Sequence, residues 1–255
     1  MRRVMEADLG VPVEQHDDGS KPGMHDLDVI WGEGQRASVE VTAAVDADST
    51  ELWNIVNGQG RWVESDLAGG WLVHVKPNAR QLRRRLPPFL RSLESAGIRE
   101  FHSDATPNLA PPPPGVLEAK QSGTDFPGSI YVQPDLPLEQ VAGYMADTGN
   151  ALAEWLGAFL RDNERADVRR KLARSGAEER HAFVIVTGLS GVPFAVTGLL
   201  IPDDAPLPIV TPDLPSEVTD VWAASSWDSG VGFRWSSATR RWRRFSKHLP
   251  PVSSE

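Results

Sequence analysis

The chain alternates apolar and polar runs whose spacing changes from element to element. Residues 1–9 place Val4, Met5 and Leu9 on one side of a short helix. "VPVEQHD" alternates like a strand and ends in the turn chemistry of "DDGSKPG". "LDVIW", the turn "GEGQ" and "RASVEVTAAV" read as a β-hairpin. In its second run Val39, Val41 and Ala43 point one way, and Ser38, Glu40 and Thr42 the other. "DSTELWNIV" reads as a helix capped by Ser49. "GGWLVHVKP" reads as a strand. An amphipathic helix then runs from Asn78 to Gly97, with Leu82, Leu86, Phe89, Leu90 and Leu93 on its buried face. Pro87 and Pro88 are expected to kink or break it.

Residues 103–125 hold "PPPP" and few apolar side chains, which predicts a long exposed loop of polyproline II character. "SIYVQP" is a short strand, 138–174 a longer helical region, and "HAFVIV" another strand. "TPDLPSEVTDVWAAS" approaches a further strand, and "VGFRWSSATRRWRRF" reads as a final hairpin. The expected class is α/β, a mixed central sheet flanked by helices. The expected division is a core over 1–102, the proline-rich loop over 103–125 and a C-terminal α/β part over 126–255 packed on the core, one domain overall.

Composition narrows the chemistry. The 255 residues suffice for a sizeable core. No cysteine is present, which excludes disulfides, zinc–thiolate sites, iron–sulfur clusters and cysteine nucleophiles. That absence and an N-terminus without an apolar stretch predict a cytoplasmic protein. The uncharged run 182–202 is long enough for a membrane span. Gly188, Gly191, Pro193 and Gly198 interrupt it, so two buried strands, or a strand and a loop, are expected there. A net charge of −9 argues against a generally cationic nucleic-acid binder but leaves room for a local basic groove. No G-x-S-x-G, Walker-type or dinucleotide-binding pattern occurs.

The candidate chemistry lies in "DLDVIWGEGQRASVEVT", residues 26–42. Asp28 and Glu40 stand twelve positions apart around a short turn, so their carboxylates can approach on one sheet face. Two close carboxylates repel unless a cation or proton lies between them. Oxygen ligands, with no cysteine and no histidine pair expected nearby, suit Mg²⁺ or Mn²⁺. His25 and Asp26 sit just before the strand and could contribute a ligand, but a turn role is the simpler reading for each.

This order of elements and acids, over residues 1–100, resembles the PD-(D/E)XK nuclease superfamily, the restriction-endonuclease-like fold. Leu27–Asp28 stands in the "PD" place and Glu40–Val41–Thr42 in the "E-x-K" place. The "VEVT" core is also similar to that of certain actinobacterial proteins. The resemblance implies a restriction-endonuclease-like core with C-terminal additions. It implies that Asp28 and Glu40 hold a divalent ion with help from Glu6, and that the reaction is hydrolysis of DNA phosphodiester bonds in DNA processing or defence. The motif lysine is absent: Thr42 occupies its place and would line the site. Some relatives supply that lysine from another element, which makes Lys76 and Lys171 the candidates. The alternative is a catalytically inactive binding or assembly module of the same fold.

Three other features have bland readings beside functional ones. Arg234, Arg240, Arg241, Arg243, Arg244 and Lys247, interleaved with Trp235, Trp242 and Phe245, suit nucleic acid. A hairpin with its aromatics inward and arginines in water explains them more simply. Glu178, Glu179 and His181 offer ligands or a base, or merely lead into a buried strand. Trp155 and Phe159 suit a homodimer or protein partner, or the core.

Overall fold

The computed structural model describes residues 1–32, 34–58, 60–104, 111–123, 126–136, 138–143, 148–188, 190–227 and 230–248. Two compact units divide the chain, Met1–Val45 with Glu139–Glu255, and Asp46–Leu138. The division does not follow residues 102 and 125. The second strand of the first hairpin finds its other partner beyond residue 179, so the segment between forms a body of its own.

The first unit opens with α1 (Arg2–Leu9), β1 (Val13–Gln15), β2 (Leu27–Gly32) and β3 (Gln35–Ala44). The second unit contains α2 (Ala47–Val56), β4 (Trp62–Val63), β5 (Gly70–Val75), α3 (Leu82–Ser95), β6 (Glu100–His102), β7 (Val116–Gly123) and β8 (Ser129–Pro134). There follow α4 (Leu138–Val141), α5 (Asn150–Arg161), α6 (Ala166–Arg174), β9 (Arg180–Val186), α7 (Phe194–Thr197), β10 (Asp220–Ser225), β11 (Val231–Ser236) and β12 (Arg241–Ser246).

Among the described residues the first unit builds a seven-stranded sheet in the order β1-β2-β3-β9-β10-β11-β12. Its two ends are antiparallel, while β3–β9 and β9–β10 are parallel. A parallel neighbour needs a crossover, and α5 and α6 supply it between β3 and β9. Helices cover both faces. On one, Met5 of α1 packs with Val29, Val39, Phe183, Trp222 and Phe245. On the other, Leu152, Leu156, Leu160 and Leu172 of α5 and α6 pack with Ala182, Val184, Val221 and Phe233. Burial on both sides explains why "HAFVIV" is a continuous apolar run. Trp155 and Phe159 stack at 5.0 Å against the second of these cores.

The second unit has its own sheet, in the order β4-β8-β5-β7-β6. Leu82, Leu86, Phe89, Leu90 and Leu93 of α3 join Trp71, Val73, Val75, Ala119 and Val132 in its core.

Several local expectations are corrected. The helix α3 starts at Leu82 rather than Asn78, and it continues through Pro87 and Pro88. Its apolar stripe lies on both sides of the prolines, so packing spans the lost backbone bonds. The exposed loop expected over 103–125 contains β7, which pairs with β5 and β6. Val116 and Ala119 are buried there, too few to stand out from a proline-rich context. Residues 105–110 and 124–125 lie outside the described residues. The cap of α2 is Asp46, whose carboxylate accepts the Ser49 amide at 2.7 Å. The helical region 138–174 divides into α4, α5 and α6, and Asp162 ends α5 with an extended backbone. After β9, the run to residue 202 forms α7 and a short 3₁₀ turn rather than a second strand. No helix among the described residues is long and apolar enough to cross a membrane.

The C-terminal hairpin follows the bland reading in part. Trp235 and Phe245 are buried, but so is Arg234, which lies 4.6 Å from the Trp222 ring centre and near Asp8 and Asp220. Gly232 sits opposite Phe245, and a Cβ there would fall 2.0 Å from its ring. The ring cannot swing freely because Trp222 stands 5.1 Å away. Gly232→Ala is therefore expected to destabilise the protein by about 1–3 kcal/mol, read as a lower midpoint in urea denaturation.

Candidate functional site

On the α5/α6 face of the sheet, β3 presents Ser38, Glu40 and Thr42 beneath α6. Positions 171 and 175 lie one helical turn apart, so they meet the strand at successive inward residues. Lys171 Nζ donates to Glu40 Oε1 at 2.8 Å, and the Ser175 and Ser38 hydroxyls lie 2.9 Å apart. Glu40 is 4 % exposed, and its Oε2 is buried with no hydrogen-bond partner among the described residues. Asp167, one turn earlier on α6, places a carboxylate oxygen 3.8 Å from Lys171 Nζ.

The acid facing Glu40 across the hairpin is Asp26. Leu27 pairs with Val39 and Asp28 with Ser38, and the Asp26 amide donates to the Val39 carbonyl at 3.0 Å. Asp26 Oδ2 also accepts the Val41 amide at 2.7 Å, closing the ladder where β2 begins. Three carboxylates, Asp26, Glu40 and Asp167, thus surround one lysine. Burial pushes the Glu40 carboxyl up to about 7, against the Lys171 hydrogen bond and with further push from Asp26 and Asp167. Burial works against the Lys171 charge, but Glu40, Asp26 and Asp167 outweigh it and hold the ammonium on. Burial is the larger cause at Glu40, and at both groups the neighbouring acids add in the same direction.

Asp28 shares that face but keeps different company. His25 Nε2 lies 2.7 Å from its Oδ1, His16 Nδ1 lies 3.0 Å from Oδ2, and Arg36 donates to Oδ2 at 3.1 Å. Burial pushes the Asp28 carboxyl up, but the bonds from His25 and His16 prevail and hold it below the ordinary range. The structure therefore joins Glu40 with Lys171 and Asp26, and Asp28 with two histidines and an arginine.

The other expected residues separate. Thr42 follows Glu40 on the same face, beside Val184 of β9. Glu6 belongs to α1, which covers the opposite face, and its carboxylate accepts the Val13 amide at 3.2 Å. Lys76 belongs to the second unit, where it borders a cavity of about 390 Å³ with Asn78, Arg80 and Arg85. Of the two candidate lysines, Lys171 is the one at Glu40. Glu179 approaches His181, which is fully buried and accepts a hydrogen bond from Trp222. That histidine fills the core beside a tryptophan and faces away from the Glu40 side.

The chain matches no protein-family model, no curated protein and no solved structure.

Glu40 has a direct thermodynamic consequence. Its folded carboxyl holds a proton above the pH at which the unfolded one releases it. The contribution of Glu40 to stability is therefore fully present below about 4.5 and is lost as pH rises to about 7. One proton linked in this way gives a slope of up to about 1.4 kcal/mol per pH unit. In EDTA, urea denaturation between pH 4.5 and 7 is expected to show that loss, and Glu40→Gln to flatten it.

Proposed function

We propose that the first unit is a restriction-endonuclease-like domain, a metal-dependent nuclease that hydrolyses DNA phosphodiester bonds. The observation that carries this reading is the contact of Lys171 with Glu40. The family's motif places a lysine two residues beyond the glutamate, where this chain has Thr42. Lys171, from the crossover helix, brings an ammonium to the same carboxylate. Supporting it, the strands β1, β2 and β3 form an antiparallel meander preceded by a helix, and β9 lies parallel to β3 after the next helices. That sequence of elements is the one the family's core requires, with the second unit inserted between β3 and the crossover.

The donor set fits a hard divalent cation. It consists of oxygens, it holds more negative than positive charge, and one buried carboxylate oxygen lacks a partner among the described residues. Asp26 and Glu40 would hold Mg²⁺ or Mn²⁺, with Asp28 a neighbour on the same face rather than the primary pair. Such an ion, when bound, lowers the pKa of water and offsets phosphate charge. The chain's own residues do the rest. Lys171 keeps its proton beside three carboxylates, so it presents a fixed positive charge where a phosphate oxygen gains negative charge. Asp26, held by the Val41 amide, fixes the carboxylate geometry at the strand end. Arg169, Arg170 and Arg174 place further positive charge on α6, and Arg36 adds an exposed guanidinium. A chain of net charge −9 needs such a local patch to accept a polyanion.

Incubation of supercoiled plasmid and of single-stranded DNA with the protein and Mn²⁺ or Mg²⁺ tests the proposal. Wild type is expected to cleave, and Glu40→Ala and Lys171→Met each to lose at least about a hundredfold in rate, with circular dichroism unchanged. No cleavage by wild type, or equal cleavage by all three proteins, overturns the enzyme reading and leaves an inactive module.

A further inference from the structure

Beside the Glu40 pair, a second group of polar side chains opens into a cavity of about 730 Å³, lined by His16, His25, Asp28, Arg36, Ser38 and Glu178 among others. We infer that His16, His25 and Asp28 form a binding site for one divalent transition-metal ion of the zinc type. The inference stands apart from the nuclease reading, since none of its three ligands is needed to pair Glu40 with Lys171.

The loop 16–25 begins and ends on a histidine. The His16 amide donates to Asp26 O at 2.9 Å, which pins one end, and β2 begins two residues beyond the other. The two imidazoles stack with ring centres 3.9 Å apart and planes 10° from parallel. Stacking turns one nitrogen of each ring toward the same carboxylate. Those ligand atoms all lie within 4.8 Å of one another. His25 and Asp28 are each 7 % exposed, so two of the three ligands are fixed in the interior, while the partly exposed His16 faces the cavity. This differs from a surface histidine pair, whose rings would be free to turn away.

The distances leave room for an ion. Bonds of about 2.0–2.1 Å in a tetrahedral sphere put neighbouring ligand atoms about 3.3 Å apart. The histidine nitrogens lie 2.7 and 3.0 Å from the Asp28 oxygens, so small side-chain rotations suffice. Two imidazoles and one carboxylate favour Zn²⁺, Co²⁺ or Mn²⁺ over Mg²⁺, which prefers oxygen alone. Three protein ligands facing a cavity leave a coordination position for water or a small anion, as in sites that exchange ligands. Arg36 competes for the same carboxylate, but its side chain is 58 % exposed and can turn into solvent.

Zinc binding to protein stripped with EDTA tests the inference, with isothermal titration for affinity and Co²⁺ absorption for imidazole ligation. Measurements in a Glu40→Gln background remove the carboxylate of the neighbouring pair, so this site is read independently of nuclease activity. One equivalent of zinc is expected. His16→Ala and Asp28→Asn should each weaken binding at least tenfold. Arg36→Ala keeps all three ligands, removes the competing cation and should tighten binding several-fold. No zinc or cobalt bound by either the parent or Arg36→Ala, or undiminished binding in His16→Ala, would show a hydrogen-bonded triad and overturn the site.

Discussion

A single extra residue in β2 decides which side chains meet on the α6 face of the sheet. Next to the turn Gly32 pairs with Gln35, but further along Ile30 pairs with Arg36, so Trp31 has no partner of its own. That bulge shifts the register by one residue. Because side chains alternate across a strand, one residue exchanges the faces of everything beyond it. Without the bulge, Asp28 would stand opposite Val39, against the apolar layer under α1. With it, Asp26 faces Glu40 and Asp28 faces Ser38, both beneath α6. The same shift sends Leu27 and Val29 to the core around Met5. Acidic face and apolar face are therefore fixed together.

Lys171 follows from the burial of that face. A carboxylate taken out of water needs a compensating charge, and losing one partner of such a pair is costly. The compensation comes from α6, which must lie along β3 to reach Glu40. That position in turn suits a crossover leading to β9 as the parallel neighbour of β3. Ser175, one turn beyond Lys171, meets Ser38 by the same geometry. The helix thus reads the polar residues of β3 in order, and its Leu172 and Val168 turn toward the neighbouring apolar core.

These two facts also explain what was legible in the sequence. The hairpin was, because turn residues and alternation are local signals, and so was the polar side of "SVEVT". The choice between Asp26 and Asp28 was not. Both have the same parity, and the hairpin turn alone implies a register that the bulge then alters. Lys171 lies 131 residues from Glu40 in the chain, so only the closed sheet reveals it. Over 46–102 the insertion has an ordinary alternation of helix and strand, which reads as a continuation of the core, and the proline-rich stretch 103–125 obscures where it ends. The strand Val116–Gly123 was hidden because its burial rests on Val116 and Ala119 within a run of prolines and polar residues.

Two carboxylates on one face carry opposite electrostatic balances. Asp28 meets two imidazoles and a guanidinium, so its ionised form is favoured despite burial. At Glu40 burial prevails over the one ammonium, and two further acids add to it, so its proton is retained nearly to neutrality. The difference arises from how far each acid's hydrogen bonds offset its burial. An incoming cation would meet excess negative charge at Glu40, with an oxygen that has no partner among the described residues. At Asp28 the nitrogens themselves must become ligands and the guanidinium must leave. One face of the sheet thus carries an oxygen-rich group around Glu40 and a nitrogen-rich one around Asp28. The register of β2 is what keeps them two residues apart instead of merging them.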